Sequence, residues 1–189
     1  MTSKTLSNLA ALVLMLASIA VAQESLKIDP NQRYLLLATT KTSTMQKELD
    51  EAAAQGFRIL VASPTSGVEM AVLLERVAQP PDTYKYRLLG TTRTSTMQKE
   101  LNEAAQEGFR LLPQTMVSKD RPIGPTEIVA VLERAPKTDK RYEYKLLATT
   151  RTSTLQKEIA EAQAIGYVLA GMVSRGEHMV IMEKEIQKE

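Results

Sequence analysis

Residues Tyr86 to Leu112 read YRLLGTTRTSTMQKELNEAAQEGFRLL, and this stretch decides the fold. Its opening alternates in steps of two: Tyr84, Tyr86, Leu88 and Gly90 share one side, and Lys85, Arg87, Leu89 and Thr91 the other. That is the period of a strand. The side carrying Tyr, Leu and a small residue is expected to face a helix, leaving Leu89 and its counterparts Leu37 and Leu147 to pack between copies. A helix start comes next. Ser95 is succeeded three residues later by Gln98, the Ser-x-x-Gln pattern of a capping box. Met97, Leu101, Ala104 and Ala105 then fall at helical spacing on one stripe. Gly108 stands where a left-handed residue ends a helix, and Phe109 just beyond it is expected to fold back onto the last turn as in a Schellman stop.

Working outward, the same text occurs three times. Tyr34 begins YLLLATTKTSTMQKELDEAAAQGFRIL and Tyr144 begins YKLLATTRTSTLQKEIAEAQAIGYVLA. The offsets are 52 residues (34 to 86) and 58 (86 to 144), a fixed element with variable connectors, as expected of a duplicated supersecondary unit. Ser43 with Gln46 and Ser153 with Gln156 repeat the box, and Gly56 and Gly166 repeat the stop.

Two further apolar runs come after each glycine. In the first copy they are Phe57 to Ala62 and Met70 to Leu74, and in the third Tyr167 to Val173 and Met179 to Met182. Turn residues separate them, so each pair reads as a hairpin. The second copy has the longer loop, Ser118 to Pro125, whose length marks it as a mobile or partner-facing segment. Each copy is therefore β-α-β-β. If the crossover makes the first two strands parallel, the third is antiparallel to both and can lie between them. The fold class is α+β: three tandem repeats over residues 32–78, 83–136 and 141–186, each a small mainly antiparallel sheet with one helix on one face. One unit alone is marginal in size, so the copies are expected to share a core. Whether they close into a pseudo-threefold body or form a row stays open at this point.

The second copy runs Tyr84-x-Tyr86, then Leu101-Asn102-Glu103, Glu107-Gly108-Phe109 and a closing Leu132-Glu133-Arg134. This resembles a small bacterial domain family of unknown function, whose modules run Tyr-x-Tyr, a helix with Leu-Asn and an acidic residue, then Gly-Trp and a strand ending in Lys or Arg. Phe or Tyr replaces that Trp here, and only one copy keeps Asn after Leu. The resemblance implies the α+β module and carries no chemistry.

Residues 1–22 read as a secretory signal peptide: Lys4 is the positive start, Leu9 to Ala20 the apolar run, and Ala20-Val21-Ala22 the cleavage site. The run is shorter than a membrane span needs. The expected mature chain is periplasmic or secreted, with no transmembrane segment after cleavage. It keeps 167 residues (189 − 22) and, without Lys4, a formal net charge of +1 (2 − 1). Near-neutral, interspersed charge argues against a nucleic-acid partner, which needs clustered basic residues. With no cysteine there is no disulfide framework and no site for a lipid anchor.

Catalytic groups are scarce. His178 is the single histidine, so Ser-His-Asp, Cys-His and multi-histidine metal sites cannot be assembled in one chain. His178 falls in the register of Met70 and Ile128, a core-edge place. Two carboxylate series recur: Glu48, Glu100 and Glu158, read as first-turn residues drawn to the helix N-terminus, and Glu75, Glu133 and Glu183, read as solvated strand ends. A carboxylate-dependent hydrolase acting on cell-envelope polymers is the alternative that survives, with no local motif to fix the separation it needs.

The segment between first strand and helix gathers hydroxyls, backbone N–H groups and one cation: Thr40, Lys41 and Ser43, then Thr92, Arg93 and Ser95, then Thr150, Arg151 and Ser153. A cation opposes the dipole at a helix N-terminus, and a bound phosphate, sulfate or carboxylate would compensate. Structural capping explains the same residues without a ligand. The expectation is a non-enzymatic binding or scaffold module without cofactor or metal, whose partner is a protein or an envelope polymer and which carries weak anion or glycan sites at its helix N-termini.

Overall fold

The computed structural model describes residues 26–65, 68–77 and 82–187. Residues 1–22, read above as a signal peptide, lie outside these, as do Ser66, Gly67, Pro80 and Pro81. The elements run β1 (Tyr34–Thr39), α1 (Thr42–Ala54), β2 (Phe57–Pro64), β3 (Met70–Arg76); β4 (Lys85–Thr91), α2 (Thr94–Gln106), β5 (Arg110–Lys119), β6 (Glu127–Arg134); and β7 (Arg141–Thr149), α3 (Thr152–Ala164), β8 (Val168–Ser174), β9 (His178–Ile186). Each copy is an antiparallel three-stranded sheet with its last strand in the centre: β1-β3-β2, β4-β6-β5 and β7-β9-β8. The second strand of every copy carries a register shift against the central one, which bends that edge. Among the described residues no helix is long and apolar enough to cross a membrane.

The helix stops form as the sequence predicts. Gly56, Gly108 and Gly166 adopt φ of 85°, 88° and 93°, a region open to glycine at little cost. In α2 and α3 the next residue closes the Schellman motif: Phe109 N–H and Tyr167 N–H donate to the carbonyls of Ala104 and Ala162, both at 3.1 Å. The closing basic residue of each copy completes this corner. Arg76, Arg134 and Lys184 lie over the rings of Phe57, Phe109 and Tyr167, and each donates to a carbonyl at the helix end: Gln55, Glu107 and Ile165. A cation there meets both a π-face and the negative end of the helix dipole.

The helix starts differ from expectation. The N-cap residues are Lys41, Arg93 and Arg151, with extended backbone and no side-chain cap bond. Ser43, Ser95 and Ser153 stand inside the first turn, so no capping box forms. The threonine that ends each first strand shapes the turn instead: Oγ1 of Thr39, Thr91 and Thr149 accepts from the N–H of Lys41, Arg93 and Arg151.

The copies form a row. In the order of packing, the first sheet lies on α1, α1 on the second sheet, that sheet on α2, α2 on the third sheet, and that sheet on α3. No pair of elements in substantial contact joins the first copy to the third. The faces of the first strand are assigned opposite to the sequence reading. Leu37 and Leu89 pack on their own helices with Met45 and Leu49 or Met97 and Leu101, whereas Tyr86 and Leu88 enter the core of the preceding copy and Tyr144 and Leu146 that of the second. The central strands are shared likewise: Val129 and Val131 point back to the first core, Ile128, Ala130 and Leu132 into the second. The central strands β6 and β9 of sheets two and three are thus buried on both faces, while the outer strand β8 stays largely exposed. The first sheet has one face covered and one open, and α3 has a sheet on one side alone.

Candidate functional site

The polar residues that recur in all copies meet at the junctions between them. Gln46, the expected partner of the capping box, reaches out of its helix to the edge of β4. Its Nε2 donates to the Tyr86 carbonyl at 3.1 Å, and its Oε1 accepts from Leu88 N–H at 2.7 Å. Gln98 does the same to β7, at 2.7 Å to the Tyr144 carbonyl and 2.6 Å from Leu146 N–H. Asn102 adds a second pair on Tyr144, accepting from its N–H at 2.8 Å and donating to its carbonyl at 3.1 Å. A side-chain amide carries the same donor and acceptor as a peptide, so these residues stand in for the strand that each sheet edge lacks.

A second set closes the other flank. Tyr86 Oη accepts from Ile59 N–H at 3.0 Å and donates to Glu133 at 3.2 Å, and Glu133 is forked by Arg58 at 2.9–3.2 Å. Tyr144, Leu111, Glu183 and Arg110 repeat this between copies two and three. Burial first, and the neighbouring carboxylate with it, push both phenols well above their ordinary value. Glu133 and Glu183 are buried and are not the solvated strand ends the sequence suggested; the third of the series, Glu75, is held in cis by Arg33 at 2.8 Å. These two buried carboxylates with Arg58, Arg110 and the exposed Val168 and Leu169 line one cleft of about 380 Å³.

The helix-start residues are divided by their surroundings. Thr40, Lys41, Thr42 and Ser43 open with Gly90, Thr91 and Thr92 onto a cleft of about 460 Å³, whose far wall is Lys119, Arg121, Pro122 and Glu127. Three cations and one carboxylate thus face one space. Lys119 is buried and fixed, its Nζ donating to the Thr40 carbonyl at 2.9 Å and pairing with Glu127 at 3.3 Å. Gly90 stands where the other copies have Ala38 and Ala148; a Cβ there would lie 2.9 Å from both Thr42 Cγ2 and Glu127 Oε1. The equivalent place in the next junction is lined by Thr94, Ser95, Gln98, Leu146, Leu147, Ala148 and Glu158, with a carboxylate and no cation. Arg93, Thr150, Arg151 and Ser153 lie outside both clefts. The cation wall of the first cleft comes from the long loop of the second copy, the insertion whose length alone had marked it.

The chain matches no family model, no curated protein and no solved structure. Its own residues therefore carry the functional reading.

The remaining candidates are accounted for locally. Glu48, Glu100 and Glu158 lie beyond the first helical turn, where no acidic residue stands; burial, then the neighbouring Glu51, raises the Glu48 carboxyl. His178 pairs with Thr149 and Ser174 at the start of β9, half-buried, its Nδ1 3.4 Å from Ser174 Oγ. Among the described residues no group of His, Cys, Asp and Glu could hold a metal ion.

Proposed function

We propose that the mature chain works in the periplasm or outside the cell as a non-catalytic scaffold, and that the cleft between its first two copies holds an anionic group of a partner protein or envelope polymer. One observation carries this reading: Lys41, Lys119 and Arg121 converge on a single cleft with the Thr40, Thr42, Ser43, Thr91 and Thr92 residues, against one carboxylate. Lys119 is pinned by Glu127 and a carbonyl, so Lys41 and Arg121, both exposed, are the groups free to close on a carboxylate, sulfate or phosphate. Hydroxyls and the N-terminal amides of α1 supply further donors. The junction bonds of Tyr86, Glu133 and Gln46 hold the two walls in fixed relation, which spares a ligand the cost of ordering them.

Calorimetric titration with sulfate, phosphate and an oligosaccharide bearing uronic acids tests the reading. Binding that falls at least tenfold in Lys41→Ala and Arg121→Ala, and is unchanged in Arg93→Ala and Arg151→Ala, supports it. Equal effects of all four substitutions, or none, sink it.

A hydrolase is the second reading, favoured by the shared cleft of Glu133 and Glu183. Both are tied to an arginine fork and a tyrosine, an arrangement suited to holding copies together. Turnover of envelope glycans that disappears in Glu133→Gln and Glu183→Gln while the fold persists would establish it over the scaffold.

A further inference from the structure

The two internal junctions are one interface used twice, and the ends of the row carry its two unused halves. At the leading end the open face of the first sheet presents Tyr34 and Leu36, 48% and 64% exposed. Their ladder partners are Glu75 and Leu73. The same positions in the later sheets are Tyr86, Leu88, Glu133 and Val131, and Tyr144, Leu146, Glu183 and Ile181, all packed under the helix of the preceding copy or bonded to it. At the trailing end Gln156, the counterpart of Gln46 and Gln98, is exposed on α3. Leu169 matches Ile59 and Leu111; they are 3% exposed each, and it is 62% exposed. Beside it Met172, opposite Val180 as Ala62 is opposite Val72, is exposed as well.

We infer that the trailing end of one molecule docks on the leading end of a second copy of this chain, repeating the internal junction between molecules. In that contact Gln156 takes the carbonyl of Tyr34 and the N–H of Leu36 on the partner copy, while the N–H of Leu169 meets the Tyr34 phenol. The charges fit this occupant. Inside the row, Arg58 and Arg110 are supplied by the preceding copy to Glu133 and Glu183. At the leading end Arg33 already pairs Glu75, and at the trailing end Val168 stands in place of the arginine. Each end has thus lost the same ion pair from opposite sides, so neither leaves a charge unmatched. The first junction works without Asn102's contribution, since Asp50 there bonds Gln46 and not the strand, so Ala160 at the trailing end is no obstacle. A contact of head to tail does not consume its own ends, so it propagates until it closes into a ring or continues as a fibre.

The test is sedimentation velocity of the whole protein over a wide concentration range. A ladder of species or a closed ring is expected, and Leu36→Arg and Leu169→Arg, both at exposed sites, are each expected to be monomeric. Mixed together, one variant still offers a tail and the other a head, so a one-to-one dimer that does not grow should appear. If Leu169→Arg associates as the unchanged protein does, the contact is head to head and the inference fails. A protein that is monomeric up to about 1 mM, the range of a contact worth about 4 kcal/mol, also overturns it.

Discussion

Helices α2 and α3 begin with nearly the same letters, Thr94 to Glu100 and Thr152 to Glu158, yet one is sandwiched and the other is not. The sandwiched helix buries Met97, Leu101, Ala104 and Ala105; the other buries Leu155 and Ala162. Gln98 is bonded to two backbone groups of β7, and Gln156 stands in solvent. A glutamine in this position is therefore a clamp for whatever sheet edge is set against its helix, and within one molecule only Gln46 and Gln98 have one. The same holds on the strand side, where Tyr144 is buried and bonded and Tyr34 is open.

The difference is sharpest for the tyrosines. Tyr144→Ala is expected to lower stability by about 3–5 kcal/mol, as for other large buried rings, and Tyr34→Ala by about 0.5 kcal/mol or less, as at a surface; urea titration of both variants measures it. Equal losses would mean that the row is not the folded unit. The phenol protons provide a second probe. With folded values raised, Tyr86 and Tyr144 keep their protons where the unfolded chain, ionising near its ordinary 10, loses them. Stability is then complete below pH 10 and falls above it, by about 1.4 kcal/mol per pH unit for each tyrosine. The double Tyr→Phe variant should be less stable at pH 8 but lose this alkaline slope, read from melts between pH 8 and 11. Tyr167, pushed up to about 12 by burial and then Glu143, adds a slope of the same size that ends near that pH and persists in the double variant.

Smaller effects are expected of the amides. Gln98→Ala strands the Leu146 N–H in a partly buried strand, the Tyr144 carbonyl keeping Asn102, and should cost about 1–3 kcal/mol, whereas Gln156→Ala should leave the melt of the monomer unchanged to within about 0.5 kcal/mol. Smallest is Gly90→Ala. Its new methyl meets only side-chain ends, so a melt shift of a few degrees at most should accompany it, and a calorimetric titration should show weaker anion binding as Thr42 and Glu127 are pressed into the first cleft.

The units themselves were legible in the sequence because each element has its own period. Two-residue alternation gave β4, the Met97–Leu101–Ala104–Ala105 stripe gave α2, Gly108 gave its end, and the crossover argument placed the last strand in the centre. The docking of units was not legible. A sheet buried on both faces shows apolar residues on both sides of Tyr86–Gly90, so alternation cannot say which helix covers Leu88 and which Leu89. Ser-x-x-Gln is equally short of information, since the spacing that lets Gln46 reach back to a cap lets it reach outward to a neighbour. Glu133 looked like a strand end in water because its partners, Arg58 and Tyr86, are distant in sequence. The one signal available was the recurrence of that trio as Arg110, Tyr144 and Glu183. The first cleft was half legible: Thr40 to Ser43 were in view, but Lys119 and Arg121 belong to a loop that no repeat comparison aligns with them.

The strand order β1-β3-β2 also governs how the chain becomes structured as it is made. In every copy the two outer strands have no partner until the last strand arrives, because they never pair with each other. A ribosome or a membrane channel releasing the chain from its N-terminus would thus expose β4, α2 and β5 as an unpaired segment until Arg134 is out. Ordering should then proceed in three abrupt steps, each triggered when a closing Arg76, Arg134 or Lys184 clears the exit and settles on its aromatic ring.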